Sequence, residues 1–412
     1  FDGFGNTYIS NNLKIIKRNS TGILNVIAGN SQQLFSGDGS LSTNASINNP
    51  KKLARDINGS IYFVVDAITS GLGVRIRKID TTGIISTVAG GGATGYTGDG
   101  GLAINASFGK ISDICIDQIG NLYIADRGNN NIRKVNLSTG IIATYAGNGT
   151  NTISGNGGPA INAGLGTILA LAIDASGNLY ISSSTVFNTS IRVIDATTGN
   201  ISDFAGGGSS LGDGGLAINA NVDAQAMCFD SQGNMIVADR ANYRVRKITA
   251  LTGIITTIAG NGSSISNTIN YSNSANPLTS PLGIISSVYV GESDNIYIGV
   301  NRILKLNSST NLLTAITGNN LGGILYNGTP VQYSSCSSLS MINDNHENIF
   351  FLGSGRIFKI TTFCPASPTV TLGNDINQCN GSTTLHASSS NIAYYYWSSI
   401  SANGPDSNIV NT

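Results

Sequence analysis

The sequence predicts an all-β protein, a seven-bladed (alternatively six-bladed) β-propeller of four-stranded antiparallel blades. Two observations carry this prediction. A repeat of roughly 57 residues organises the first 360 positions, and each copy holds four short runs of β-branched and aromatic side chains bounded by Gly, Asn, Asp or Ser. No window has a helical period of useful length.

Each strand of the repeat has its own marker. The first strand ends in Asp, as in Ile114–Asp117, and a Gly-Asn turn leads into the second, as in Gly120–Ile124. The third is clearest at Ile132–Val135, and the fourth ends in Ala-Gly, as at Thr144–Gly147. A single meander cannot bury both of its faces, so the copies must pack against each other, and radial packing of four-stranded units produces a propeller.

The composition excludes several classes of function. The chain of 412 residues has 22 basic and 22 acidic side chains, and charged residues make up only 11% of it. This balance excludes nucleic-acid binding by phosphate neutralisation. No apolar run approaches the roughly 18 residues that cross a bilayer. Asn, Ser, Thr and Gly take the surface positions, which is typical of secreted and cell-surface proteins, so we expect an extracellular or cell-surface location.

A family resemblance is carried by the loop at residues 98–106 and by the strand and turn segments that follow it. Gly98–Ala106 reads GDGGLAINA, and together with Asp126–Val135 and Thr139–Ile141 it resembles the NHL repeat in its bacterial extracellular form. The resemblance covers residues 1–360 and weakens in the long loops 261–282 and 319–340. It implies a six- or seven-bladed propeller that serves mostly as a binding platform, with enzymes in the minority.

The tail differs from the repeat. Residues 361–369 contain Pro365 and Pro368 and are predicted to be a linker. Residues 370–412 resemble the opening strands of the Ig-like or PKD-like modules of bacterial surface proteins, which predicts a partial β-sandwich.

The matches to catalytic motifs lack the context that their chemistry needs. Gly90–Gly95 fits G-x-G-x-x-G but opens no helix, and Gly208–Gly212 fits G-x-S-x-G without a strand-to-helix turn. Two histidines, His346 and His386, are too few for a three-histidine metal site, and the five cysteines contain no C-x-x-C pair. We therefore expect no catalytic residue, no bound metal and no cofactor.

One repeat position carries Asp66, Asp126 and Asp239, and Arg127 and Arg240 follow the last two. One hypothesis makes these five residues a polar ligand-binding face. The alternative, which we favour because residues that repeat with an architecture usually support it, is that each Asp caps a strand-end turn and pairs with a neighbouring blade's arginine. The arginines considered are Arg77, Arg133, Arg192 and Arg246.

The Gly-Asp-Gly loops carry a second set of repeated carboxylates, at Asp38, Asp99 and Asp213, with Asn156 in the fourth loop. One carboxylate per loop is few for Ca²⁺, which takes about six to eight oxygens. We therefore predict that each Asp ties its own loop together, with calcium binding as the alternative.

Cysteines and glycosylation sequons give further predictions. Cys115 and Cys228 are expected to be buried thiols. Cys364 and Cys379 are a candidate disulfide in an oxidising compartment, and Cys336 with Cys364 is the rival pair. The candidate glycosylation sites are Asn44, Asn105, Asn148, Asn188, Asn261, Asn307 and Asn327.

The leading functional hypothesis is a non-enzymatic scaffold for binding or adhesion, outside the cell or on its surface, that presents propeller loops to a protein or glycan. One alternative is the structural subunit of a homopolymeric filament, with other copies of the chain as partners. Another is a lyase or hydrolase that uses the central channel, which would require convergent titratable groups there.

Overall fold

A computed structural model describes residues 7–11, 14–18, 24–28, 36–47, 50–65, 73–185, 189–264, 275–300, 303–315, 338–343, 349–353 and 356–360. All of these residues lie in the first of two units of the chain, Phe1–Phe363. The predicted linker and the predicted Ig-like tail lie outside the described residues. No helix among the described residues is long and apolar enough to span a membrane.

Five four-stranded antiparallel sheets form the centre of the sequence, and each is a meander of consecutive strands. This confirms the predicted all-β propeller with four-stranded antiparallel blades. The strands are β4 Pro50–Arg55, β5 Ile61–Val65, β6 Arg75–Ile79 and β7 Ile85–Ala89 (blade I); β8 Ile111–Ile116, β9 Asn121–Asp126, β10 Asn131–Asn136 and β11 Ile142–Ala146 (blade II); β12 Thr167–Ile173, β13 Leu179–Ser184, β14 Thr189–Ile194 and β15 Ile201–Gly206 (blade III); β16 Ala224–Phe229, β17 Met235–Asp239, β18 Arg244–Ile248 and β19 Ile255–Ala259 (blade IV); and β20 Ser287–Val290, β21 Ile296–Gly299, β22 Ile303–Leu306 and β23 Leu313–Ala315 (blade V).

Two three-stranded sheets flank these blades in sequence. The first strands of successive sheets contact each other pairwise around a ring. Strand β4 contacts β8, β8 contacts β12, β12 contacts β16, β16 contacts β20, β20 contacts β24 (Ser338–Asn343), and β24 contacts β4. Strand β1 contacts β25 and β26. The strands of the two sheets are β1 Thr7–Asn11, β2 Lys14–Arg18 and β3 Leu24–Ala28, and β24 Ser338–Asn343, β25 Ile349–Gly353 and β26 Arg356–Ile360.

The hydrophobic core lies between adjacent blades. Tyr62 and Val64 of β5 share one buried cluster with Phe108, Ile114 and Ile124 of the next blade. Each such side chain contributes about 1.5–3 kcal/mol by leaving water. Because the cluster combines residues of two blades, the packing that stabilises one blade requires its neighbour.

The loops between blades follow the outer edge of the blade that they enter. The backbone N–H of Gly100 donates to Ile142 O, and Ile142 N–H donates to Gly101 O at 3.0 Å. The loop thereby covers the exposed edge of β11, which would otherwise be open to pairing with another chain. A 3-10 turn at Ala103–Asn105 then brings Ala106 against Gly98. Corresponding turns lie at Ser42–Asn44, Ala160–Asn162 and Ala217–Asn219.

Gly98 is required by both its backbone and its surroundings. Its φ is +100°, and a Cβ there would lie 2.8 Å from Ala106 Cα. Gly100 has a φ of +78°, yet a Cβ there would meet nothing within 4 Å. The two glycines therefore separate the cost of left-handed backbone from the cost of a steric clash.

We expect Gly98→Ala to destabilise the protein by about 2–5 kcal/mol, because a left-handed non-glycine residue costs about 1–2 kcal/mol and overpacking costs about 1–3 kcal/mol. Gly100→Ala, the matched control, should cost only about 1 kcal/mol. Urea denaturation of both variants measures the difference, and equal losses would contradict the role assigned to Ala106.

Candidate binding face and central cavity

The propeller has two faces that differ in their connections. At one end lie the loops between blades and the connections between second and third strands, and the segments 107–110, 127–130, 221–223 and 240–243 define the loop face. At the other end lie the tight turns that follow the first and third strands, which define the turn face. Ile57, Ile119 and Leu251 are exposed on the turn face.

Asp126 and Asp239 are completely buried beneath the loop face. The Asp126 carboxylate accepts hydrogen bonds from Gly109 N–H at 3.0 Å and from the Asn129 amide at 2.7 Å. Asp239 accepts from Asp223 N–H at 3.0 Å and from Arg246 at 3.1 Å. Both carboxylates therefore fix loops from inside the blade.

Burial raises the pKa of Asp126 to about 6, even though the Asn129 amide, the Gly109 N–H and the Arg133 charge act in the opposite direction. Burial likewise raises the pKa of Asp239 against its hydrogen-bond donors and Arg246. In both residues the cost of removing a carboxylate from water exceeds the gain from its partners.

Arg127 and Arg240 are the exposed members of the predicted ligand-binding face. The Arg240 backbone N–H donates to Asp223 O at 2.9 Å, and its guanidinium lies 3.3 Å from Gln225 Oε1. The structure thus directs the aspartates inward and the arginines outward at the same repeat position. Asp66 lies outside the described residues.

The repeated arginines Arg77, Arg133, Arg192 and Arg246 are among the most deeply buried side chains. Arg77 pairs with Asp38 at 2.7 Å, Arg133 with Asp99 at 2.5 Å and Arg246 with Asp213 at 2.8 Å. The predicted pairing with a neighbouring blade's aspartate is wrong, because each arginine reaches the loop that enters its own blade, and Arg246 also bonds Asp239 of that blade. The three Gly-Asp-Gly aspartates were predicted to tie their own loops together. In the structure each accepts a hydrogen bond from the third-strand arginine and so fastens its loop to the blade.

Each guanidinium also binds backbone carbonyls of the same loop. Arg133 donates to Thr97 O at 3.1 Å, and Arg246 donates to Leu211 O at 2.7 Å. The outer strand adds a hydroxyl, since Thr144 donates to Asp99 at 2.6 Å. Burial alone would raise the pKa of Asp99, but hydrogen bonds from Thr144 and Arg133 together hold that pKa below its usual value.

Blade III uses the same device with two residues exchanged. Asn156 takes the loop position of the aspartate, and Asp203 takes the outer-strand position of the threonine. Arg192 donates to Asn156 Oδ1 at 2.7 Å and lies 3.6 Å from Asp203, whose other oxygen accepts from the Asn156 amide. The single carboxylate that faces the arginine has moved from the loop to the strand.

The first strands of the blades surround a central cavity of about 380 Å³. Its described lining combines apolar side chains with polar ones, among them Lys52, Arg55, Asp113 and Gln225. Lys52 Nζ lies 4.0 Å from one Asp113 oxygen, and the other accepts Leu171 N–H at 2.9 Å. Burial raises the pKa of Asp113 despite the nearby Lys52 charge.

Cys115 and Cys228 are free thiols that also line this cavity. They were expected to be buried, whereas the structure leaves both partly exposed at the cavity wall. Although each residue keeps some exposed surface, the loss of water around its sulfur raises the pKa of Cys115 well above its usual value and that of Cys228 to about 12. Both thiols therefore remain protonated and poorly nucleophilic at neutral pH.

The described sequon asparagines fall into two groups. Asn44 and Asn105 are exposed at equivalent 3-10 turns. The side-chain amides of Asn148 and Asn261 donate to Asn162 O and Thr279 O. Asn307 accepts two backbone hydrogen bonds through its side-chain oxygen.

Several other predicted sites lie outside the described residues, namely Asn188, Asn327, Cys336, Cys364 and Cys379. Across the described ranges, no three His, Cys, Asp or Glu side chains are grouped so that they could hold a metal ion.

Comparison with known proteins relates the chain to other propellers. No family model matches it. It is 29% identical to mouse teneurin-1 over 261 residues, 54% of this chain and 9% of teneurin-1, and 30% identical to human teneurin-4 over 282 residues, 58% of this chain and 10% of teneurin-4. The match thus spans about a tenth of each teneurin.

Solved structures share the fold at low identity. The Staphylococcus aureus virginiamycin B lyase aligns with a TM-score of 0.52 at 15% identity, over 88% of this chain and 93% of the lyase chain. An auxiliary nutrient binding protein from Bacteroides thetaiotaomicron aligns at 0.53 and 14% identity, over 86% and 77%. YCF48 bound to D1 peptide aligns at 0.51 and 9% identity, over 89% and 91%.

The exchange in blade III predicts a strong coupling between Asn156 and Asp203. Asp203→Thr removes the carboxylate from a buried arginine, and Asn156→Asp places two carboxylates together, so each should cost about 1–3 kcal/mol. The double variant restores the pattern of blades II and IV and should recover at least about 1 kcal/mol relative to additivity. Free energies of unfolding in urea measure this cycle, and strictly additive losses would contradict it.

Asp126 predicts a stability loss at rising pH. The pKa of Asp126 is raised to about 6 in the folded protein. The protonated carboxyl therefore makes its full contribution to the free energy of unfolding below the pKa of the unfolded chain. That contribution is lost as the pH rises through about 6. Relative to Asp126→Asn, the native protein should lose up to about 2 kcal/mol between pH 4 and 7. Melting temperatures across this range measure the trend.

Asp195 is the control with the opposite sign. Hydrogen bonds from Thr198 lower its pKa, so its stabilising contribution is present at neutral pH and is lost as pH falls. Asp195→Asn should therefore weaken the protein more at pH 7 than at pH 3. A pH-independent difference for Asp126→Asn would contradict the burial assigned to it.

Proposed function

We propose that the chain is a non-enzymatic, extracellular or cell-surface binding module that presents its loop face to a protein or glycan. One observation carries this proposal. At the repeated Asp-Arg position the carboxylate is buried and holds its loops, whereas Arg127 and Arg240 project into solvent. A rigid framework that displays exposed side chains on anchored loops is a common arrangement for recognition.

The known relatives and the composition support the proposal. The teneurin match relates the chain to propeller segments of much larger proteins. Propellers of similar fold include one named for nutrient binding and one solved with a bound peptide. The low charged fraction, 11%, is in keeping with a location outside the cell.

We further propose that seven sheets surround the axis, with six blades as the alternative. The described strands form seven separate sheets, which supports seven blades. The contact of β24 with β4 joins six first strands into a ring, which is what six blades would require. An experimental structure of the chain would decide between the two.

Paired surface variants test the binding role. Arrays of glycans and of purified cell-surface proteins should identify a partner whose affinity falls at least about tenfold in Arg127→Ser/Arg240→Ser. Ile119→Ser, on the turn face, should bind as the native protein does. Loss of binding in Ile119→Ser alone would place the partner on the turn face, and an absence of any partner would contradict the proposal.

A further inference from the structure

Lys52 adopts an unusual backbone conformation inside a strand. Its φ is +47°, and the other described non-glycine residues with positive φ lie in turns. The register of β4 against β5 shifts between Lys51 and Leu53, so Lys52 is the bulged residue. Ser112 and Gln225 occupy the same shift in β8 and β16 without positive φ. Strain of this kind, held in place by its surroundings, is concentrated at functional sites.

The bulge places the Lys52 charge at the central cavity, where its acidic partner among the described side chains, Asp113, lies 4.0 Å away. The Lys52 side chain is 25% exposed, and the separation of 4.0 Å from Asp113 exceeds the 2.5–3.1 Å of the Arg77, Arg133 and Arg246 pairs. A charge-assisted hydrogen bond from an ammonium group needs about 2.7–2.9 Å. Lys52 therefore retains the capacity to bind a further anion.

Arg55 also lines the cavity, and further cations lie on β4 and on the adjoining blade. Lys51 precedes Lys52, and Lys110 and Arg127 are exposed on the adjoining blade, where Gly128 N–H donates to Lys110 O. The acidic neighbours are Asp113 and the fully buried Asp126. Such a concentration of positive charge raises the local concentration of anions, in a chain whose net charge is zero.

Hydrogen-bonding groups lie in the same cavity. Asp113 has one oxygen engaged by Leu171 N–H, and its other oxygen faces Lys52 and can accept from a ligand hydroxyl. Gln225 and Ser286 line the cavity from blades IV and V, and Tyr289 supplies an aromatic ring. Apolar walls with a few convergent polar groups are the usual setting of a small-ligand site.

From this geometry we infer that the central cavity binds a small hydroxylated carboxylate of the sugar-acid class, with its carboxylate on Lys52 and a hydroxyl donating to Asp113. The ligand is either a free acid or the terminal residue of an acidic glycan. This inference rests on the proposed binding function and makes it more specific, because it names the class of ligand that the central cavity recognises.

Methionine methyl groups provide a direct readout of the cavity. The chain contains three methionines. Both Met227 and Met235 belong to the buried core between blades III and IV, and of the two only Met227 also lines the cavity. In the complete chain labelled at methionine methyls, D-glucuronate should shift the Met227 signal saturably and leave Met235 in place. D-glucose, which has a hydroxymethyl group instead of the carboxylate, is the matched neutral probe and should cause no saturable shift.

Variants of Lys52 complete the test. Lys52→Gln keeps the side-chain length without its charge and should weaken glucuronate binding at least about tenfold. Lys52→Gly tolerates the left-handed backbone, so it should lose binding equally while folding well. Lys134→Gln is the control, since Lys134 lies over the Tyr123 and Tyr145 rings instead.

Defined results would overturn the inference. They are an equal response to glucose and glucuronate, undiminished binding in both Lys52 variants, or no Met227 response at about 10 mM to either glucuronate or a glucuronate-terminated oligosaccharide. A response to the oligosaccharide alone would identify the glycan as the source. Retained capture of an array partner by a protein that ignores glucuronate would overturn this inference and leave the proposed function intact.

Discussion

The buried guanidinium in the third strand of each of blades I to IV is the constraint on which the propeller depends. Arg77, Arg133, Arg192 and Arg246 lose nearly all contact with water, which is costly for a charge unless carboxylates and carbonyls replace the solvent. The loop between blades supplies those groups. That loop covers the outer strand and then continues into the first strand of the same blade. By holding the loop, the arginine therefore protects the sheet edge, fastens the loop to the blade and fixes the position of the loop face.

Much of this arrangement is visible in the sequence, because the repeat shows both the strands and the turns. The Asp and Gly-Asn signals mark the turns correctly, since Asp117 and Asp174 accept the backbone bonds expected of them. The partner of each arginine was not predictable in the same way. The separation of Asp99 and Arg133 along the chain carries no information about which blade the loop closes over, and only the path of the loop reveals it.

The central cavity was harder to predict for a related physical reason. Lys52, Asp113 and Gln225 do not form a motif, because each comes from a different repeat and only the ring brings them together. Cys115 and Cys228 illustrate the same point, since a strand that is apolar throughout gives no sign of which side chains face the axis. The available signal was a charged residue at a position where other repeats have Ala or Ser. Lys52 is such a case, because blades III and IV have Ala170 and Ala226 at the equivalent repeat position.

The exchange of Asn156 and Asp203 affects whether a loop can pair with the wrong blade during folding. If the loop of blade II closed over β14, Asp99 and Asp203 would confront a single guanidinium, with one negative charge in excess. If the loop of blade III closed over β10, Arg133 would meet Asn156 and Thr144 and have no carboxylate at all. Either misregistered assembly is penalised electrostatically. The exchanged pair therefore distinguishes the loop of blade III from the loops of blades I, II and IV, which carry an aspartate and face an outer-strand threonine.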